Sequence, residues 1–89
     1  MILGAGGGSG GSPIRGIQAD LAKIGMPVRI TGRLDAPTVD GINQVLGSWD
    51  DAPLILRKKL SMHDIAQNIG LVRTTLHKAV GGAMSVAAG

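Results

Sequence analysis

The stretch from Ser12 to Pro27 constrains this chain more than any other, because it opens and closes one short helix within sixteen positions. Ser12 offers an N-cap oxygen, and Pro13 brings a preset dihedral to the first helical position, where its missing N–H costs nothing. Ile17, Leu21 and Ile24 follow Ile14 at three, seven and ten positions, which is one face of a helix. Gly25 can then adopt the left-handed conformation that ends a helix, and Pro27 forbids continuation. The same punctuation recurs downstream. After a short extended connection at 28–32, Asp35 and Pro37 start a second helix with Val39, Ile42, Val45 and Leu46 as its buried stripe and Gly47 near its end. Asp50 or Asp51 is placed to cap a third, with Pro53 in the first turn and Leu54, Ile55, Leu56 and Leu60 as apolar positions. Ser61 and Asp64 form a capping box with Asp in the place of Glu, opening a helix with Met62, Ile65, Ala66 and Ile69 inside and Gly70 at its end. A last helix from about Val72 to Val80 buries Leu76, Ala79 and Val80, and Gly81-Gly82 releases the chain. The expectation is an all-α protein of four or five short helices joined by tight turns.

The first helix and the start of the second together carry a resemblance. The spacing Ile14-x-x-Ile17-Gln18-x-x-Leu21-x-x-Ile24-Gly25 is similar to the first helix of the type 1 peptidoglycan-binding domain family, V-x-x-L-Q-x-x-L-x-x-L-G. The family's next signature, D-G-x-F-G-x-x-T, has its counterpart in Thr31-Gly32-Arg33-Leu34-Asp35-Ala36-Pro37-Thr38. Where the family continues A-V-x-x-F-Q, this chain reads Gly41-Ile42-Asn43-Gln44-Val45-Leu46, so the alanine, the aromatic and the glutamine are replaced and the likeness spans Ile14 to about Leu46. The resemblance implies a small orthogonal helical bundle: a three-helix core, here extended by a C-terminal helical hairpin and preceded by a flexible Gly-rich arm. It also implies noncatalytic binding of peptidoglycan or another wall glycan in a shallow groove beside the second signature, bordered here by Arg33, Asp35, Thr38 and Asn43. Gln18 reads as structural, its amide tying the first helix to the following loop. Asp35 and Thr38 also occupy the positions where a helix is capped.

Composition narrows the ligand chemistry. The chain has one Trp and neither Tyr nor Phe, so Trp49 alone offers an aromatic face on which a sugar ring or an unpaired base could stack. Nine Lys and Arg against six acidic residues, all Asp, give a net charge of +3, which favours anionic surfaces without choosing among them. At 89 residues with Gly-rich ends, one domain near the lower limit of a self-sufficient core is expected, with residues 1–12 as arm or linker, 13–82 as the domain and 83–89 as a small-residue tail. Met1-Ile2-Leu3-Gly4-Ala5 has no basic segment and no sustained apolar stretch, which argues against a secretion signal and a membrane span.

A rival pattern lies in the C-terminal third. Ile65-Ala66, Gly70-Leu71, Leu76 and Val80 have the spacing of a helix-turn-helix, with a small residue at the crossing, glycine in the turn and an apolar residue seating the second helix. Arg73, Thr74, Thr75, His77 and Lys78 would then face nucleic acid, with Arg57-Lys58-Lys59 adding phosphate contacts. A third reading, compatible with the first, is a structural adaptor clipped by its arms to neighbouring subunits of a virion, phage tail or envelope-associated assembly. A cytoplasmic location belongs to the DNA-binding alternative. Catalysis is not expected: His63 and His77 lie in different helices, Cys and Glu are absent from the sequence, and adjacent Asp50-Asp51 do not face each other across a cleft. No metal and no cofactor is implied.

Overall fold

The computed structural model describes residues 12–88, with side-chain surroundings described for residues 12–82. The Gly-rich arm expected at residues 1–12 lies, but for Ser12, outside the described residues. The fold is all-α. Helix α1 spans Pro13–Lys23 and α2 spans Ala36–Gly47; after a single 3-10 turn at Leu54–Leu56 come α3, Met62–Gln67, and α4, Ile69–Ala88. Among the described residues there is no strand.

Each boundary has a local cause. Helix α1 ends in a complete Schellman arrangement: Gly25 sits at φ 89°, its N–H donates to the Ala22 carbonyl (3.0 Å), and the Met26 N–H reaches back to the Leu21 carbonyl (3.1 Å). Asp35 caps α2, accepting from the Thr38 N–H at 3.2 Å. The capping box at α3 is reciprocal, with Ser61 Oγ accepting from the Asp64 N–H (3.1 Å) and Asp64 Oδ2 accepting from the Ser61 N–H (3.0 Å). At α1 the N-cap is Ser12, but its side chain makes no capping bond.

The α3–α4 junction departs from the expected pattern. Helix α3 stops at Asn68, not Gly70. The Asn68 N–H donates to the Asp64 and Ile65 carbonyls (3.2 Å each), its Nδ2 donates to the Asp64 carbonyl (3.0 Å), and its own carbonyl accepts from the Val72 N–H (2.8 Å), beginning α4. One residue thus closes one helix and opens the next, and Gly70 lies in the first turn of α4 with an ordinary backbone. Gly81 and Gly82 do not end α4, which runs on to Ala88. The helix expected after Asp50-Asp51 shrinks to the 3-10 turn, with Pro53 at its N-cap. It leaves Leu54 80% and Ile55 56% exposed, while Leu56 and Leu60 are buried as expected. Met62, 51% exposed, and Ala66 also lie outside the core.

The core is built from Ile17, Leu21, Ile42, Leu46, Leu56, Leu60, Ile65, Val72, Leu76 and Val80, with Ile24, Met26, Val39, Val45 and Trp49 packed partly against it. Helix α1 lies along α4 with matching direction. Gly16 meets Arg73, and one turn on Asp20 meets His77. Helices α1 and α2 approach closely at Gly41, where a Cβ would stand 3.0 Å from Leu21 Cδ1.

Candidate functional site

The most densely hydrogen-bonded polar feature is centred on Gln18, which is fully buried. Its carboxamide makes five hydrogen bonds: Nε2 toward Thr31 Oγ1 (3.0 Å), the Arg33 carbonyl (2.9 Å) and Thr38 Oγ1 (3.0 Å), and Oε1 accepting from the N–H groups of Thr31 (2.8 Å) and Gly32 (2.9 Å). Two amide hydrogens serve three acceptors, so one is shared. The turn that Gln18 grips needs Gly32, at φ 80°. The network continues outward. Thr38 Oγ1 donates to Asp35 Oδ1, and Thr31 Oγ1 approaches Asp35 Oδ2 at 3.4 Å. These donors hold the Asp35 carboxyl below its ordinary value of 3.8, the Thr38 hydroxyl foremost, although partial desolvation pushes the other way. Gln18 thus ties α1 to the segment from Thr31 to Thr38, as its position in the sequence suggested.

This geometry redistributes the residues expected to border a glycan groove. Thr38 is fully buried with its hydroxyl engaged on both sides, so it supports the turn and has no surface to offer a ligand. Asp35 is committed to the α2 cap. Asn43 grips the backbone of Leu60 with both ends of its amide, Nδ2 to the carbonyl at 2.9 Å and Oδ1 from the N–H at 2.7 Å. That clip anchors the segment entering α3. Arg33 is exposed, with only its backbone carbonyl tied to Gln18. Trp49 is half-buried and lies elsewhere, in a groove of about 550 Å³ lined by Ile24, Met26, Gln44, Val45, Ser48 and Ala79. A second hollow of about 380 Å³, lined by Pro27, Pro37, Asp40 and Gly41, shares Met26 and Gln44 with it. Together they run along the α1–α2 junction. Of the five expected ligand residues, this trough collects Trp49 alone.

The nucleic-acid set is also divided. Arg73, Thr74, His77 and Lys78 are exposed on α4, but Thr75 is only 5% exposed and packs inward. Thr74 Oγ1 donates back to the Gly70 carbonyl (3.0 Å), and His77 Nδ1 donates to Asp20 Oδ2 (3.1 Å), since a carboxylate can only accept. Asp20 also lies 3.9 Å from Lys23 Nζ. Ala66, the small residue that a helix-turn-helix buries at its crossing, is exposed, and Gly70 sits inside a helix instead of a turn.

The groove residues Met26 and Gln44 carried no motif in the sequence. Their signal was indirect: Met26 follows the helix stop at Gly25, and Gln44 lies one residue ahead of Val45 on a helix whose apolar stripe points inward. Among the described residues no group of His, Cys, Asp and Glu is placed to hold a metal, and no helix is long and apolar enough to cross a membrane. Compared with protein-family models, curated proteins and solved structures, the chain matches none of them.

Proposed function

We propose that this chain is a noncatalytic wall-recognition module of the peptidoglycan-binding type, serving as a minor structural component of a virion, phage tail or envelope-associated assembly. The observation that carries the reading is the Gln18 clamp. The two sequence segments that resemble the family, 14–25 and 31–38, are joined through a buried glutamine that belongs to the first of them. A likeness confined to letter spacing would not require the two segments to touch.

The glycan site moves from the second signature, where the Asp35 and Thr38 side chains are internally committed, to the trough along the α1–α2 junction. Trp49 there supplies the stacking face, Met26, Val45 and Ala79 an apolar floor, and exposed Gln44 and Asp40 hydrogen-bonding groups for ring hydroxyls. Asp35 and Asp64 spend their oxygens on helix caps and Asp20 faces His77 and Lys23, which favours a binding role over acid–base chemistry.

Co-sedimentation with purified peptidoglycan tests the reading. The wild-type chain pellets with the wall at both low and high salt, and Trp49→Ala and Gln44→Ala stay in the supernatant while Arg73→Ala/Lys78→Ala pellets normally. Failure to pellet, together with a duplex-DNA shift that weakens steeply with salt and is lost in Arg73→Ala/Lys78→Ala, would replace this reading with the nucleic-acid one.

A further inference from the structure

The side chains of Arg15 and Arg73 each lie across a glycine near the start of α1, and the backbone of Arg33 adjoins one of those glycines. The Arg15 side chain lies across Gly32, where a Cβ would stand 3.1 Å from its Nε, and Gly32 adjoins Arg33. The Arg73 guanidinium lies across Gly16, the residue after Arg15, where a Cβ would come within 2.7 Å of its Nε. All three arginines are exposed. Among the described residues the ion pairs are those of Asp20 with Lys23 and His77, so no carboxylate neutralises this cluster. The two rival sites expected from the sequence had claimed Arg33 and Arg73 separately, and the start of α1 touches the segments that carry both: Gly16 meets Arg73, and Arg15 meets Gly32 beside Arg33.

We infer that Arg15, Arg33 and Arg73 form a phosphate-binding face that engages a wall-linked phosphodiester polymer. The inference rests on the wall-module reading for its choice of partner. Guanidinium forks match phosphate oxygens two at a time, and three unneutralised cations in one region concentrate a polyanion. Base reading finds no support at this face. Thr75 is buried, and the lone aromatic, Trp49, shares its groove with Ile24 at the opposite end of α1 from Arg15 and Gly16. A flexible phosphodiester chain without bases needs neither.

The test measures binding of the full chain to a soluble phosphodiester polymer released from walls, to intact walls, to walls stripped of that polymer, and to a single-stranded oligonucleotide of equal charge. With about three phosphates engaged, affinity for the soluble polymer falls roughly 20-fold between 50 and 200 mM salt. Arg15→Gln/Arg33→Gln/Arg73→Gln loses at least tenfold in affinity and most of the salt dependence, yet binds stripped walls as the wild type does. Gly16→Ala, which keeps every charge but displaces Arg73, falls between them, and circular dichroism verifies that both variants stay folded. Polymer binding without stripped-wall binding supports the arginine face and overturns the glycan reading. Unchanged polymer binding by the triple variant, or tighter binding to the oligonucleotide than to the polymer, overturns the inference.

Discussion

Replacing Gln18 with Leu removes a buried carboxamide of similar size and strips five hydrogen bonds from the Thr31–Thr38 turn at once. A net contribution of about 1 kcal/mol per bond gives an upper figure near 5 kcal/mol. The loss is smaller where water can take over. The Thr31 and Gly32 amides are only part-buried, and the Thr38 hydroxyl keeps Asp35 as an acceptor, so a destabilisation of about 3 kcal/mol is expected. In a domain of this size that lowers Tm by roughly 12 to 24 °C and consumes much of a total stability on the order of 5 kcal/mol. Gln18→Glu keeps the acceptor for the two amides but sets a carboxylate against the Arg33 carbonyl, so it too destabilises. Urea and thermal melts followed at 222 nm, with the fluorescence of Trp49 as a second probe, measure both. A Gln18→Leu protein within about 0.5 kcal/mol of wild type would mean that packing alone holds the turn, and the clamp argument would fail.

Other perturbations separate the remaining contributions. Gly41→Val drives a branched side chain into Leu21 Cδ1 and should cost about 1–3 kcal/mol, whereas Gly47→Ala, with open space around its Cβ, should be neutral or stabilising by up to about 1 kcal/mol; urea midpoints distinguish them. Gly81→Ala/Gly82→Ala should raise the helical signal and the Tm, because both positions lie within α4 with room for a methyl group; unchanged melting would indicate that α4 does not extend past Val80. Asp35 and Asp64 both titrate below the usual 3.8 through capping bonds, so the stability they lend is present above that value and disappears as pH falls through their lowered folded-state values. Asp35→Asn/Asp64→Asn should therefore flatten the acid limb of the stability curve, as read from urea midpoints across pH. Asn43→Ala should cost about 1–2 kcal/mol by freeing the Leu60 backbone, a loss seen as faster amide exchange at Leu60.

The helix starts and stops that depend on one or two residues are legible in the sequence. Ser12-Pro13, Gly25, Asp35 and the Ser61–Asp64 box act over no more than a few positions along the chain, and all four mark the boundaries they suggested, the first through the fixed dihedral of Pro13 without a capping bond from the Ser12 side chain. Gln18 was also interpretable, because its place beside Ile17 and Leu21 turns a polar group into the interior, where it must find partners. Glycine misled where context decides. Gly70, Gly81 and Gly82 looked like stops, yet the junction at Asn68 and the continuity of α4 overrode a penalty of about 1 kcal/mol per glycine. Met62 was expected inside, and Leu54 and Ile55 were marked as apolar positions of a helix, but a three-residue turn and a six-residue helix bury only part of their apolar side chains. The trough was hidden for another reason. Its walls come from the segment just after α1, from α2 and its end, and from α4, and no local spacing reports which distant residues will border a shared hollow.

Wild-type chain and Trp49→Ala, each mixed with purified peptidoglycan and centrifuged at low and high salt, should part company: wild type in the pellet under both conditions, the variant in the supernatant with its fold intact by circular dichroism. Equal pelleting of the two proteins, or no pelleting of either, would contradict a wall-binding groove at the α1–α2 junction.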